Sequence, residues 1–326
     1  MSEMNATIPR LSIVMPNFNH GHTIGEALSA IAQQSKLPSE VVVVDDGSTD
    51  ESMPRLLAIS SANPWLAVHR HPENRGVNAA VNTGLNLVRG EFVLMSAADD
   101  CLSREMVERA ADAAAAFPHT GIIFSDPAEM NFDGTARRIS PLDLGSEPRY
   151  FSGAEFVRLL QRSFFYFHVS NVWFNTDLLR TMGGFPPDVK WHGDLLAAYA
   201  AAFERGAVYV PGAVSFCRIA PETYGSAGKR SGAQQDVLRA WLAVTRQPGW
   251  EHRRAALVAA AIWPDHSLTG LRVLMEEDRK YISLRLVGRI AWYAAWNRVG
   301  PLAGQALRGW LRSIRTRLRH RRMQRI

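Results

Sequence analysis

Short apolar runs and longer stretches of helical period alternate along the chain from Leu11 to Phe124. The runs Leu11–Met15, Val41–Asp45, Leu66–His69, Phe92–Ser96 and Gly121–Phe124 are bounded by turn-forming residues, which predicts buried strands. Pro16 and Asn17 are expected to break the first of them. Between the runs, Thr23–Gln33 sets Ile24, Ala27, Leu28 and Ile31 on one helical face. Gly76–Val88 does the same with Val77, Ala80, Val81, Leu85 and Val88. A helix capped by Thr49 or Asp50 follows the turn at Gly47, and Ser103 opens another with Glu105 in its first turn. Strands alternating with helices predict an α/β protein with a doubly wound, parallel sheet. From Asn131 to Phe151 the pattern weakens into polar sequence with Gly and Pro, read as a loop region that shapes a substrate pocket. Helices are expected over Gly153–Gln161, over Gly193–Arg205, and throughout the chain beyond about Arg230.

Two acidic pairs interrupt this pattern where apolar runs stop. Asp45-Asp46 closes Val41–Val44, and Asp99-Asp100 follows Phe92–Ala98. Open α/β sheets bind ligands beyond the carboxyl ends of their strands, and Pro16-Asn17 falls at the same edge. Acids gathered there suit a cation, or a polar ligand held through a cation. An isolated Asp99-Asp100 pair would more simply cap the next helix; with Asp45 on a neighbouring strand end, a nucleotide and metal site is the stronger reading. Asp194 stands at a predicted helix start, where a carboxylate complements the N-terminal dipole. His168 and His192 are read as local hydrogen-bonding residues, and Phe164–Phe167 as core or pocket wall.

Charge and composition narrow the class. The chain has 326 residues and a net charge of +6, but residues 308–326 carry eight arginines and no acid, so the rest is at −2. The basic character therefore belongs to the tail. There Trp310, Leu311, Ile314 and Leu318 share a helical face flanked by arginine, which suits an anionic bilayer surface. No recognition module accompanies the charge, so nucleic acid is not the expected partner. The two cysteines, Cys101 and Cys217, form neither a disulfide framework nor a metal-thiolate spacing and fit a reducing cytosol. Residues 1–7 have no secretion-signal character, and the most apolar helical stretch, Leu284–Ala303, is interrupted by Arg285, Arg289, Asn297 and Arg298. The expected location is cytoplasmic, peripheral on the inner face of the cytoplasmic membrane.

Four segments, in order and spacing, resemble a family 2 glycosyltransferase: Leu11–Asn19, Val43–Asp50, Asn74–Gly84 and Ser96–Asp100. Gly183-Gly184-Phe185 followed by Gly193-Asp194 is similar to the acceptor-side motif. The resemblance implies a GT-A fold, a Rossmann-like mixed but mainly parallel sheet flanked by helices, with a C-terminal helical extension. It implies a catalytic domain over 1–228 and a helical region over 229–326 that ends in the basic tail. The implied reaction is non-processive, inverting transfer of one sugar from a nucleotide-diphosphate donor, UDP-sugar favoured, to a hydroxyl of a glycan or lipid-linked acceptor. A role in cell-surface polysaccharide or lipopolysaccharide synthesis follows from the same resemblance. Asp100 would hold a divalent Mg or Mn ion and Asp99 would contact the donor ribose or sugar. Asp45 would accept a hydrogen bond from the base, Pro16 and Asn17 would line the nucleotide site, and Asn78 and Asn82 would border it. Asp194 would be the base.

The chain also departs from the family pattern. Val81 stands where Arg or Leu is common, Gly193 where a Glu often precedes the base, and Ala220 where some members carry His. Arg218, Lys229 or Arg230 would then contact the diphosphate, the last two from the Gly-rich basic loop Tyr224–Arg230. No Gln-x-x-Arg-Trp pattern of processive synthases is present. The substitutions at 193 and 220 leave a second reading, a catalytically weak nucleotide-sugar-binding GT-A module.

Overall fold

The computed structural model describes residues 9–163, 165, 168–219, 228 and 232–299, with backbone alone for 296–299. Ala220, Lys229, Arg230 and the arginine-rich tail, with the expectations attached to them, lie outside the described residues.

The predicted first half is present as β1 (Leu11–Asn17), α1 (Ile24–Ala32), β2 (Glu40–Asp45), α2 (Ser52–Ala62), β3 (Leu66–Arg70), α3 (Val77–Leu87) and β4 (Phe92–Met95). These strands lie parallel in the order β3-β2-β1-β4. One expectation fails: Pro16 does not end β1 but pairs in register with Val44, and Asn17 with Asp45. The carbonyls of Val14 and Asn17 accept from Ser96 and Asp46 respectively, so Pro16 faces the β4 side, where β4 has already ended at Met95. The N–H that proline lacks is not required there.

The chain continues through β5 (Cys101–Leu102), α4 (Met106–Ala116), β6 (Ile122–Phe124), β7 (Ala128–Met130), β8 (Arg137–Ile139), β9 (Arg149–Phe151) and α5 (Gly153–Arg162). Then come β10 (Val172–Asn175), α6 (Thr176–Thr181), α7 (Gly193–Arg205), β11 (Ala207–Tyr209) and β12 (Ser215–Arg218). β10 enters the large sheet antiparallel between β4 and β6, and β11 and β9 complete it beyond β6. The result is a mixed, mainly parallel sheet of eight strands among the described residues. A second sheet, β5-β12-β7-β8, stands beside it. The segment read as loop from Asn131 to Phe151 therefore contains β8 and β9. Three-residue strands carry no period of their own; their distant partners create them.

Strand alternation builds two buried layers. Ile13, Met15, Val41, Val43, Phe92 and Leu94 join Ala27, Leu28 and Ile31 of α1 and Met106, Val107 and Ala110 of α4 in one core. Val14 points to the opposite face and meets α3, where Gly84 lets the helix approach: a Cβ at Gly84 would lie 2.4 Å from Val14 Cγ1. Gly121 is tighter still, since its Cβ would stand 2.0 Å from the Ala201 carbonyl oxygen of α7.

Contacts sort the chain into two compact units, one formed by residues up to 153 and 166–223, the other by 154–165 and the residues from 224 onward. The second unit contains α8 (Gln234–Thr245), α9 (Glu251–Ala259), α10 (Leu268–Glu277) and α11 (Leu284–Val299). Its centre is Trp263, packed between Trp241 at 6.5 Å and Tyr281 at 5.5 Å, with the Tyr281 hydroxyl donating to the Ile262 carbonyl. Arg289 of α11 donates to the carbonyls of Ala260, Ala261 and Leu160, which ties α5 to this unit. Among the described residues no helix is long and apolar enough to cross a membrane.

Gly121→Ala should lower unfolding free energy by about 2 kcal/mol or more, because a rigid backbone oxygen occupies the methyl's place. Gly25→Ala in α1, with nothing within 4 Å, should be neutral or mildly stabilising. Urea denaturation of both variants checks the contrast.

Candidate active site

At the carboxyl edge of the parallel strands, side chains tie one strand end to the next. Asn17 Nδ2 donates to Asp45 Oδ1 at 2.8 Å, and the Ser48 N–H donates to Asp45 Oδ2 at 3.1 Å. Asp45 is fully buried, with the half-exposed Arg70 guanidinium 3.6 Å away. As placed, Asp45 joins β1 to the turn after β2 and presents no open surface for a base to reach. The neighbouring Asp46 accepts from His71 Nδ1 at 2.7 Å and from the backbone N–H groups of Arg75 and Gly76. It therefore fixes the turn that starts α3. Two buried acceptors at this edge, Asn17 Oδ1 and Ser96 Oγ, have no partner among the described residues. Orphaned buried polar atoms at the mouth of a sheet suit a polar ligand.

Asp99 and Asp100 follow β4. Asp100 is buried, and Asp100 Oδ1 accepts the Arg218 N–H of β12 at 3.0 Å. Burial and the adjacent Asp99 charge push its carboxyl up to about 7, against hydrogen bonds from Arg218, Ser170 and Cys217 that favour the ionised form. Cys217 Sγ sits 2.9 Å from Ser170 Oγ and 3.1 Å from His168 Nδ1, and burial raises its thiol well above the usual range. Such a thiol is a packed hydrogen-bonding group, not a nucleophile. Among the described residues no cluster of three or more His, Cys, Asp or Glu could hold a metal unaided.

Arg218 is committed within the protein. Its guanidinium donates to the carbonyl of Asp99 at 2.9 Å, to the carbonyl of Phe132, and to Glu26 Oε2 at 2.6 Å, and its side chain is only 4% exposed. Instead of reaching toward a diphosphate, it braces the Asp99-Asp100 turn against α1. A diphosphate contact by Arg218 would require one of these bonds, such as that to the half-exposed Glu26, to open.

Asn78 and Asn82 stand one turn apart on α3 and face the segment before α7. Asn82 Nδ2 donates to the Phe185 carbonyl and Asn82 Oδ1 accepts the Phe185 N–H, both at 2.8 Å. Asn78 Nδ2 donates to the carbonyls of Pro186 and Lys190 at 3.0 and 2.9 Å. Gly184, at φ +73°, allows this approach, because a Cβ there would lie 2.3 Å from Asn82 Oδ1. Lys190 is held at φ 44° and ψ −119°, a costly conformation for a non-glycine residue and one that clusters at functional sites. A Cβ at Gly193 would lie 2.9 Å from Asn78 Nδ2, so Asn78 fills the space that a side chain at 193 would need.

This segment delivers Asp194 to the first turn of α7. The residue is partly exposed, and Asp194 Oδ1 accepts the Leu195 N–H at 2.5 Å. Burial of the carboxyl raises it to about 6, against that hydrogen bond. A group titrating there is poised to take a proton near neutral pH. Pattern reading had no signal for Glu26, Ser170 or Cys217 as supports of the acidic turn. Each is remote in sequence, and only β12 pairing with β5 and β7 brings Cys217 and Arg218 to it.

A mixed sheet with its acids at one strand edge, and a carboxylate-bearing helix start carried on α3, define a GT-A glycosyltransferase architecture. Solved structures share it: Staphylococcus aureus TarS residues 1–349 matches at TM-score 0.58 and 18% identity, covering 86% of this chain and 80% of that one. The same TarS region has been solved with UDP-GlcNAc. The mannosyltransferase PcManGT of Pyrobaculum calidifontis, solved with GDP-Man and Mn2+, matches at TM-score 0.55 and 22% identity over 96% of this chain and 86% of that one. The glycosyl transferase family 2 profile matches residues 12–183, and the chain belongs to that family. The succinoglycan biosynthesis protein ExoO of Rhizobium meliloti (strain 1021) is 33% identical over 174 residues, 52% of this chain and 45% of that protein. An uncharacterized glycosyltransferase of Haemophilus influenzae is 28% identical over 102 residues, 31% of this chain and 41% of that protein. This chain thus spans less than half the length of these curated relatives.

Two variants probe the electrostatics. Arg218→Met should cost about 2–3 kcal/mol in urea unfolding, since it strands two carbonyls and Glu26. Unchanged stability with weakened diphosphate binding would favour the ligand role. For Asp194 the folded carboxyl is raised, so the ionised form is disfavoured and its penalty appears as pH rises through the range from about 4 to about 6. Asp194→Asn should therefore be more stable than the parent by about 2–3 kcal/mol at pH 8, with the difference vanishing below pH 4. Thermal unfolding across pH measures it.

Proposed function

We propose that this chain transfers one sugar, with inversion, from a nucleotide-diphosphate donor to a hydroxyl of a glycan or lipid-linked acceptor, and that UDP-sugars are its favoured donors. The observation that carries the reading is Asp194: a carboxyl raised to about 6, at a helix start that the two α3 amides fix beside the nucleotide half of the domain. Asp194 takes the acceptor proton as the acceptor oxygen bonds to the sugar's anomeric carbon and the diphosphate leaves from the opposite face. Asn17 and Ser96 offer buried polar atoms that a nucleotide can satisfy. For Asp45 to accept from the base, the bonds that hold it and Arg70, from Asn17 and Ser48 N–H to Asp45 and from Arg70 to the Ser48 carbonyl, have to open.

Asp100 would hold a divalent Mg or Mn ion, and Asp99 would contact the donor ribose or sugar. The residues fit it: hard carboxylate oxygens suit these ions, and a nearby cation would offset the burial and the like charge that push Asp100 up. A single carboxylate would leave the remaining coordination to donor oxygens and water, an arrangement magnesium accepts. When bound, the ion neutralises charge on the leaving diphosphate. TarS has been solved with UDP-GlcNAc and PcManGT with GDP-Man and Mn2+, which supports both parts of this reading.

The name of the succinoglycan biosynthesis relative favours cell-surface polysaccharide synthesis, and the arginine-rich residues 308–326 favour work at the inner face of the cytoplasmic membrane. Gly193 gives no support to a catalytically weak module, because Asn78 occupies the space its missing side chain would need.

The purified protein should hydrolyse a UDP-sugar slowly in Mn2+, and Asp100→Ala should abolish the activity. Asp194→Asn should cut transfer by about a thousandfold or more while thermal shift still reports donor binding, and the acid limb of kcat/KM near pH 6 should disappear with it. Full activity in Asp194→Asn would remove it as the base.

A further inference from the structure

Nothing in the site accounts for one face of α11. Viewed down the helix, Leu284, Val287, Gly288, Ala291, Trp292 and Ala295 fall within one sector, and all are exposed. Leu284 is 94% exposed, Val287 42% and Trp292 57%. Leu286 and Ile290 lie on the opposite side and are buried, so the helix is already seated on its own unit. Its solvent side is a continuous apolar strip roughly 16 Å long. A scattered surface leucine needs no explanation, but a continuous strip marks an interaction surface.

The sequence around the strip selects the partner. Asp278 is the last acidic residue of the chain, and the 48 residues that follow it contain 13 lysines and arginines. Without those 13, the chain's +6 becomes −7. Arg285 is exposed beside Leu284, and the arginine-rich residues 308–326 follow the helix in sequence after eight intervening residues. An apolar strip within a purely cationic region is complementary to a surface that is anionic outside and apolar just beneath.

We propose that the solvent face of α11 lies flat on an anionic phospholipid bilayer, with Leu284, Val287 and Trp292 entering the acyl boundary and the surrounding cations pairing with headgroup phosphates. This deepens the proposed function, whose membrane-linked acceptor it presupposes. It moves the anchoring surface from the tail alone to a helix built into the second unit. Two weak signals, apolar and electrostatic, add to stable attachment where either alone is marginal.

Sedimentation of the full chain with phosphatidylglycerol-rich vesicles tests it, with pure phosphatidylcholine vesicles as the reference. The parent should bind the anionic vesicles, leave the neutral ones, and be released by salt. The double variant Leu284→Gln/Val287→Gln keeps every charge and should bind roughly tenfold more weakly or less, with unchanged circular dichroism. Leu284→Gln alone should show an intermediate loss. Parent-like binding by the double variant would overturn the proposal. So would light scattering that shows a dimer dissociated by the same substitutions, which would assign the strip to a second copy. UDP-sugar hydrolysis in vesicle-free solution should be the same in parent and double variant. Loss of hydrolysis in the parent with vesicle binding intact would sink the transferase reading and leave the docking surface standing.

Discussion

Asn78 and Asn82 couple the two halves of the catalytic unit, and most of its functional geometry follows from them. Each is a primary amide on one face of α3, able to donate and accept toward backbone that would otherwise lack partners. Through them Phe185, Pro186 and Lys190 are fixed to a helix that is itself fixed to the strand edge by Asp46. The segment that leads into Asp194 is therefore held by side chains of α3. Its place is set by a rigid helix packed against β1 through Gly84. The strained Lys190 backbone and the side-chain-free Gly184 and Gly193 are consequences of bringing two backbones this close to one helix face.

The acids at the sheet edge fall into two physical kinds. Asp46 meets an imidazole and two backbone N–H groups, and Asp45 meets an amide and an N–H, so both are consumed in holding turns. Asp100, buried beside the Asp99 charge, and Asp194, partly exposed with the Leu195 N–H as its donor, both have carboxyls that rise toward neutrality. A carboxylate whose burial and like-charged neighbour outweigh its hydrogen bonds is poised for a cation or a proton. What separates Asp46 from Asp100, which look alike in the chain, is the kind of neighbour: an imidazole and two backbone N–H groups for the first, a like charge with hydroxyl and thiol donors for the second.

Arg218 illustrates how a residue near a site can serve it without facing it. Three donors spent on Asp99, Phe132 and Glu26 hold the acidic turn in place. Cys217 and Ser170 add weaker bonds to Asp100. The turn is thus assembled from α1, β12 and the 3₁₀ turn Val169–Asn171, elements widely separated along the chain.

The periodicity of apolar residues was sufficient for β1 to β4, α1 and α3, because each buries one face or one stripe and the pattern is local. The family resemblance rested on motifs that are equally local. Pro16 misled the reading of β1, since whether a missing N–H matters depends on where the neighbouring strand ends. β8, β9, β10 and β12 were not legible, for their few residues become strands only through pairing with distant partners. The chain by itself determined which acids stand at strand ends, because that follows from local spacing, while Asp194 entered as a candidate base only through the family resemblance. Tertiary structure alone decided which of those acids keep their partners, what Arg218 touches and how Asn78 accounts for Gly193, because hydrogen-bond supply is settled by groups that meet across the fold.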